Sequence, residues 1–133
     1  MMNDDAIKEM MLTYSTTEPN EFYGVYAVKK ASFATVMLLG PLASFAYKYC
    51  VIGFNGKEFI IVGLNLLGKP VNGAAIPVNS IKSTKVTSWF FGMGKVIHIT
   101  FMDNTKIKFN VNKFTMGLKR QKSNLIELEK LLG

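Results

Sequence analysis

Acids, cysteine, histidine and arginine are all scarce in this chain, and each scarcity closes a class of function. Of 133 residues, nine are Asp or Glu against sixteen Lys or Arg, for a formal net charge of +7. The single cysteine, Cys50, leaves no internal disulfide framework. It sits in an apolar run and reads as a buried, inert thiol. With one histidine and one cysteine, no metal site of several His and Cys ligands can be assembled. That histidine, His98, alternates outward in its strand, with no carboxylate or cysteine placed by sequence to orient it as a ligand or base. No paired carboxylates stand near the strand ends where acid–base chemistry would need them. Gly92-x-Gly94 lacks the further glycine and the helix of a dinucleotide loop. No catalytic residue is assigned, no metal or other cofactor is expected, and the chain is not read as an enzyme.

The acids that do exist crowd at the start. In residues 1–21, one lysine against five acids gives −4, so the remainder of the +7 chain carries +11. Between Lys29 and Lys122 the only acids are Glu58 and Asp103. Such a field favours phosphate-bearing or acidic partners, either nucleic acid or an anionic membrane, although lysines scattered on solvent faces also serve solubility alone. The opening Met-Met-Asn-Asp-Asp is acidic where a secretory signal is basic, so a cytoplasmic protein is expected, peripheral at most to the inner face of the membrane.

Charge is absent altogether from Ala31 to Tyr47. A membrane-spanning helix needs about 20 apolar residues, and Gly40-Pro41 interrupts this shorter run by removing a backbone donor. The segment reads as buried against the body, held in a subunit contact, or dipping into a membrane interface.

What is plentiful is alternation. Ile97, Ile99 and Phe101 alternate with polar neighbours, as do Ile107, Phe109 and Val111, so two strands share one apolar face across a turn at Asp103-Asn104-Thr105. Phe101 is expected opposite Ile107, and a one-residue slip would turn a whole apolar set to water. Asn55-Gly56 joins two further strands, Tyr49 to Phe54 and Lys57 to Val62, as a hairpin. Both are apolar on both faces, so the face away from the core should meet the 31–47 segment or a partner. Phe22 to Val28 reads as a strand, Leu64 to Gly73 as a loop, and Ala74 to Ile81 and Lys82 to Phe91 as extended segments. Ile7, Met10, Met11 and Tyr14 recur at helical spacing behind a cap at Asn3 or Asp4, forming an N-terminal arm over residues 1–20. Leu118, Gln121, Leu125, Leu128 and Leu132 mark a helix from about Thr115 to Leu132. Its basic residues, Lys119, Arg120 and Lys122, sit at the helix start, against the dipole, where an anion would relieve them. In Trp89-Phe90-Phe91, alternation forces at least one ring away from the core, toward a partner or under the arm.

The block Ile76-Pro77-Val78-Asn79-Ser80-Ile81-Lys82-Ser83, an aromatic strand into Gly92-Met93-Gly94-Lys95, the strand Val96 to Phe101 with Asp103, the strand Lys106 to Val111 and the terminal leucine helix together resemble bacterial pleckstrin-homology-like (PH-like) domains. The likeness covers residues 21–133. It implies a mainly β fold: a seven-stranded, strongly bent antiparallel barrel capped at one end by a C-terminal amphipathic helix, here with a short helical arm in front and an apolar insertion at about 31–47. It also implies a binding scaffold. Relatives that hold phosphoinositides use basic residues flanking the first inter-strand loop, and the resemblance offers Lys29, Lys30 and Lys48 for that role, with Lys69 at the same barrel end. The closing arginine of that pattern is missing, since Tyr49-Cys50 follow Lys48.

The expected function is therefore a non-catalytic module acting by self-association or through a protein partner, with an anionic lipid surface as a further setting. Lys29, Lys30, Lys48 and Lys69 are the candidate headgroup contacts; Phe33, Met37, Leu38, Leu39, Phe45 and Trp89 are the candidate apolar contacts. The alternative is a nucleic-acid-binding β-barrel using Lys106, Lys108 and the aromatics. Base stacking would want aromatics interleaved with arginine, and Arg120 stands alone, so nucleic acid is not the expected partner. No small-molecule substrate is expected; a carrier cavity inside the barrel is the weakest of the readings.

Overall fold

A computed structural model describes residues 2–16, 22–30, 49–89, 91–104 and 106–132. The chain runs α1 (Asp4–Tyr14), β1 (Tyr23–Lys30), β2 (Tyr49–Phe54), β3 (Glu58–Leu64), β4 (Pro70–Pro77), a 3₁₀ turn (Val78–Ser80), β5 (Ile81–Trp89), β6 (Gly94–Phe101), β7 (Lys106–Asn112) and α2 (Gln121–Leu132). Among the described residues the seven strands form one antiparallel sheet in the order β4-β3-β2-β1-β7-β6-β5. None of the helices there is long and apolar enough to cross a membrane.

The sequential neighbours β4 and β5 lie at opposite edges of this sheet. Six inter-strand steps amount to about 29 Å in a flat sheet, yet the link through Val78–Ser80 reaches no more than about 14 Å. The sheet is therefore strongly bent, and side chains distant in strand order meet across its concave side. Phe59 of β3 and Phe109 of β7 have ring centroids 6.1 Å apart. Around them Ile52, Ile61, Ile97, Ile99, Ile107 and Val111 are fully or almost fully buried, and α2 closes the cluster with Leu125, Leu128 and Leu132.

The convex side carries a second core. There α1 lays Ile7, Met10 and Met11 on Val51, Ile60, Val62 and Leu64. Among the described residues, the outer face of the Asn55-Gly56 hairpin is thus covered by the arm, while the 31–47 segment expected there lies outside the described residues. Gly24 and Gly53 make this seat possible: a Cβ at Gly24 would stand 2.6 Å from Ile7 Cγ2, and one at Gly53 would overlap Met11 Sδ. Two polar clamps hold the arm. Glu58, itself buried, accepts hydrogen bonds from Ser15 Oγ (2.8 Å), Thr16 N (2.9 Å) and Thr16 Oγ1 (2.6 Å). Asp4 accepts from the backbone N–H groups of Lys119 and Arg120 at 3.1 and 3.2 Å. The anion that the basic start of the terminal helix calls for is supplied by the chain's own arm.

Several boundaries differ from the sequence reading. The Phe101–Ile107 pairing slips by two residues: Ile99 faces Ile107 and Ile97 faces Phe109. Parity, and with it the buried face, is kept. The turn lengthens because Phe101 is drawn onto Ile81 of β5, Met102 N donates to Ser80 O at 2.9 Å, and Asn104 takes a left-handed φ of 69°. The expected loop 64–73 shrinks to a turn, since the Asn65 side chain accepts from Leu67 N and Lys69 N and lets β4 begin at Pro70. Proline is tolerated there because β4 is an edge strand. The terminal helix starts at Gln121, not Thr115: Gly117 has a φ of 83°, and the Thr115–Leu118 turn swings Leu118 into the convex core.

Candidate functional site

The described candidate residues divide between the two ends of the sheet. Val28 pairs with Tyr49 and Leu64 with Pro70, so the end of β1, the start of β2 and the 65–69 turn share one end. Lys29, Lys30 and Lys69 belong to it, spread over four strands and about 14 Å of sheet. Lys29 is half-buried, and burial lowers its pKa while the adjacent Cys50 thiol acts in the opposite sense. Lys69 is exposed at the close of a hydrogen-bonded turn that also projects Leu66 and Leu67, 93% and 78% exposed. Sequence reasoning passed over these two leucines, because nothing in a Leu-Leu pair tells whether the turn buries or projects it. Lys48 lies outside the described residues, as do Phe33, Met37, Leu38, Leu39 and Phe45.

Trp89 stands at the opposite end, on the last residue of β5 facing Gly94, which in turn faces Asn112. Its ring lies over Gly94, where a Cβ would approach Trp89 Cε3 to 2.7 Å. It is only partly exposed, whereas Phe91 two residues on is 99% exposed. The described part of the arm does not cover this turn, since α1 packs over β1 to β4. The fold thus separates Trp89 from the lysine-bearing end.

The outer face of β5, β6 and β7 carries a third arrangement, one cross-strand row of Lys85, His98 and Lys108, continued in register to Lys30. Like charges facing each other across strands cost stability. The row leaves its mark on His98, whose pKa is lowered by burial and then by Lys108 and Lys85, while Thr87 Oγ1 lies 3.3 Å from Nε2. Neutral His98 separates the two lysines; protonated, it would add a third charge. Cys50 is buried, points at the Ala27 carbonyl at 3.6 Å, and burial pushes its thiol up to about 12. It cannot act as a nucleophile near neutral pH.

What binds α2 to the sheet is a residue that sequence reading placed in an apolar stripe. Gln121, 1% exposed, accepts from Tyr26 N at 3.1 Å and donates through Nε2 to Tyr26 O (2.9 Å) and Asn112 O (3.0 Å). β1 and β7 are paired only from Val28–Asn110 to Lys30–Lys108. The Gln121 amide fills the place where the next rung, Tyr26 to Asn112, would have formed, and Asn124 Nδ2 donates to Gly24 O one step further, at 3.1 Å. At its far end α2 is tied to β5 by the Thr84 hydroxyl donating to Leu132 O.

No family model matches this sequence, and a search of curated proteins returns no match.

Proposed function

We propose that this chain is a PH-like module: a bent barrel whose open end is plugged by α2, without catalytic function, which works by binding a second copy or another protein. The observation that carries the reading is topological. Seven antiparallel strands with β1 central, edge strands joined by a three-residue link, and a C-terminal helix over the concave core are the parts that such a barrel requires. The contact end is the one holding Lys29, Lys30 and Lys69. That end also carries the exposed Leu66 and Leu67, and the uncharged run 31–47, with Phe33, Met37, Leu38, Leu39 and Phe45, follows Lys30 in the sequence and is closed by a further cation, Lys48. Apolar contact supplies the affinity, and the lysines favour a partner with acidic or anionic groups beside its apolar surface.

The test is solution mass by light scattering at low and high salt, for the wild type and for Met37→Asp with Leu39→Asp. A salt-insensitive oligomer that the double substitution converts into a folded monomer supports the reading. A monomeric wild type would remove self-association. A nucleic-acid-binding role has one observation in its favour, the lysine row on β5 to β7, and it predicts an affinity that falls linearly on logarithmic salt axes.

A further inference from the structure

We propose that the opposite end of the sheet, built by the β5–β6 turn and the segment after β7, docks onto an anionic lipid bilayer. This goes beyond the proposed function, because it uses none of the residues invoked for the partner contact.

The turn presents its apolar groups in an unusual way. Phe91 has a φ of 54° and Gly92 a φ of 82°, two left-handed residues in succession. Glycine or asparagine would hold that backbone with little strain; a bulky side chain holds it at a cost. Here the position carries a phenylalanine turned almost wholly into water, with Met93 beside it 49% exposed. Met93 O accepts from Lys113 N at 3.0 Å, so this tip lies directly against the segment that begins at Lys113. That segment adds Phe114, 64% exposed, and Met116, 83% exposed. Two separate turns thus bring four large apolar side chains to the same end.

Cations surround them. Lys122 Nζ lies 5.5 Å from the Phe114 ring centroid, and Lys113, Lys119 and Arg120 flank the same segment. Of the acids beside this segment, Asp4 accepts from the amides of Lys119 and Arg120, and Glu129 pairs with Lys95 at 3.6 Å. Counting Lys113, Lys119, Arg120 and Lys122 against Asp4 and its neighbour Asp5, the described residues of this end keep a charge of +2.

A bilayer suits this geometry better than a protein surface. The apolar groups stand exposed on two turns, and a fluid interface accepts a projecting ring without a complementary pocket. A second copy meeting the same patch would set cations against cations. An anionic leaflet meets both demands, with the rings below the headgroups and the lysines among them. Trp89, the only tryptophan, sits just behind the tip and reports the event without a label.

The test is co-sedimentation of the full chain with vesicles of phosphatidylcholine alone and of equal parts phosphatidylcholine and phosphatidylserine, followed also by Trp89 emission. The mixed vesicles should bind the protein and shift the emission to the blue; the neutral ones should do neither. Phe91→Asn, which keeps a residue suited to the left-handed backbone, should weaken binding by about tenfold or more. Lys113→Glu with Lys122→Glu should weaken it by at least about 25-fold, about fivefold for each lysine lost. Met37→Asp with Leu39→Asp should bind the mixed vesicles like the wild type, so the partner contact and the membrane contact fail separately. The proposal is overturned if neither vesicle binds, if Phe91→Asn binds as well as the wild type, or if the Met37/Leu39 variant is the one that loses binding. It is also overturned if a single-stranded oligonucleotide takes the place of the vesicles and Phe91→Asn leaves that binding unchanged.

Discussion

Replacing Gln121 with leucine should cost the fold about 2–4 kcal/mol, although leucine is close in volume and the site is buried. The substitution removes three hydrogen bonds and strands one backbone N–H and two carbonyls, at Tyr26 and Asn112, inside the join of β1, β7 and α2. Each such bond is worth about 1 kcal/mol net, and an unsatisfied buried partner costs about 1–3 kcal/mol; the apolar gain of leucine offsets part of the sum. Gln121→Glu is the sharper control. It keeps the acceptor for Tyr26 N but points an anionic oxygen at two carbonyls, so it should be the worse variant at pH 7. Burial and those carbonyls raise the carboxyl pKa in the folded state. Stability of Gln121→Glu is therefore greatest below the unfolded carboxylate pKa and is lost as pH rises through the folded value, a slope that Gln121→Leu lacks. Urea unfolding followed by Trp89 emission and circular dichroism gives both numbers. With a slope of about 1.5 kcal/mol per molar urea, 3 kcal/mol moves the midpoint by about 2 M. A leucine variant within about 0.5 kcal/mol of wild type would refute the view that this amide completes the β1–β7 ladder.

Four further outcomes follow from the same fold. Gly53→Val should displace α1, since the added side chain collides with Met11, and hydrogen exchange in Asp4–Tyr14 should then accelerate while β6 and β7 stay protected. Glu58→Ala should loosen the same helix by removing the acceptor of three hydrogen bonds, with a cost of about 1–3 kcal/mol in the arm; unchanged exchange in α1 would contradict this. Cys50 should resist a thiol reagent at pH 8 in the native state and react at the rate of unfolding, because its thiol is buried and pushed up to about 12; immediate labelling would refute its burial. His98 has a lowered pKa, so the unfolded chain binds the extra proton first, and this residue's contribution falls as pH drops below about 6.5. His98→Gln should flatten that part of the stability profile, and a wild-type slope in the variant would assign it elsewhere.

The parts of the fold that were legible are those in which burial repeats with the period of the backbone. β6 and β7 show it: their alternation identified the buried face, though not the register, because a shift of two residues leaves every side chain on its own face. The Asn55-Gly56 hairpin was legible from local chemistry, with Gly56 at a φ of 88° and the Asn55 side chain accepting from Lys57 N and Glu58 N. What escaped were long-range polar contacts without sequence periodicity. Gln121 looked like one polar member of a leucine stripe; only the meeting of β1 and β7 makes it a ladder rung. Glu58 looked like a stray acid in a basic body, yet it holds the arm. The candidate lysines Lys29 and Lys69 share an end because strand order brings them there, whereas Trp89 is carried to the other end by the parity of the β5–β6 turn. Exposure at the Leu66-Leu67 tip was equally invisible, since these leucines have the composition of core residues and only the turn geometry sends them outward, whereas alternation through Trp89-Phe90-Phe91 already required a ring to leave the core.

The central claim is that the two ends of this sheet meet different surfaces. The most direct measurement is a backbone amide NMR titration of the full chain with bicelles containing phosphatidylserine. Amides of residues 91–93 and 113–122 should broaden or shift first, while those of Lys29 and residues 65–69 stay in place. Perturbation centred on Lys29 and residues 65–69, or none at either end, would contradict the account.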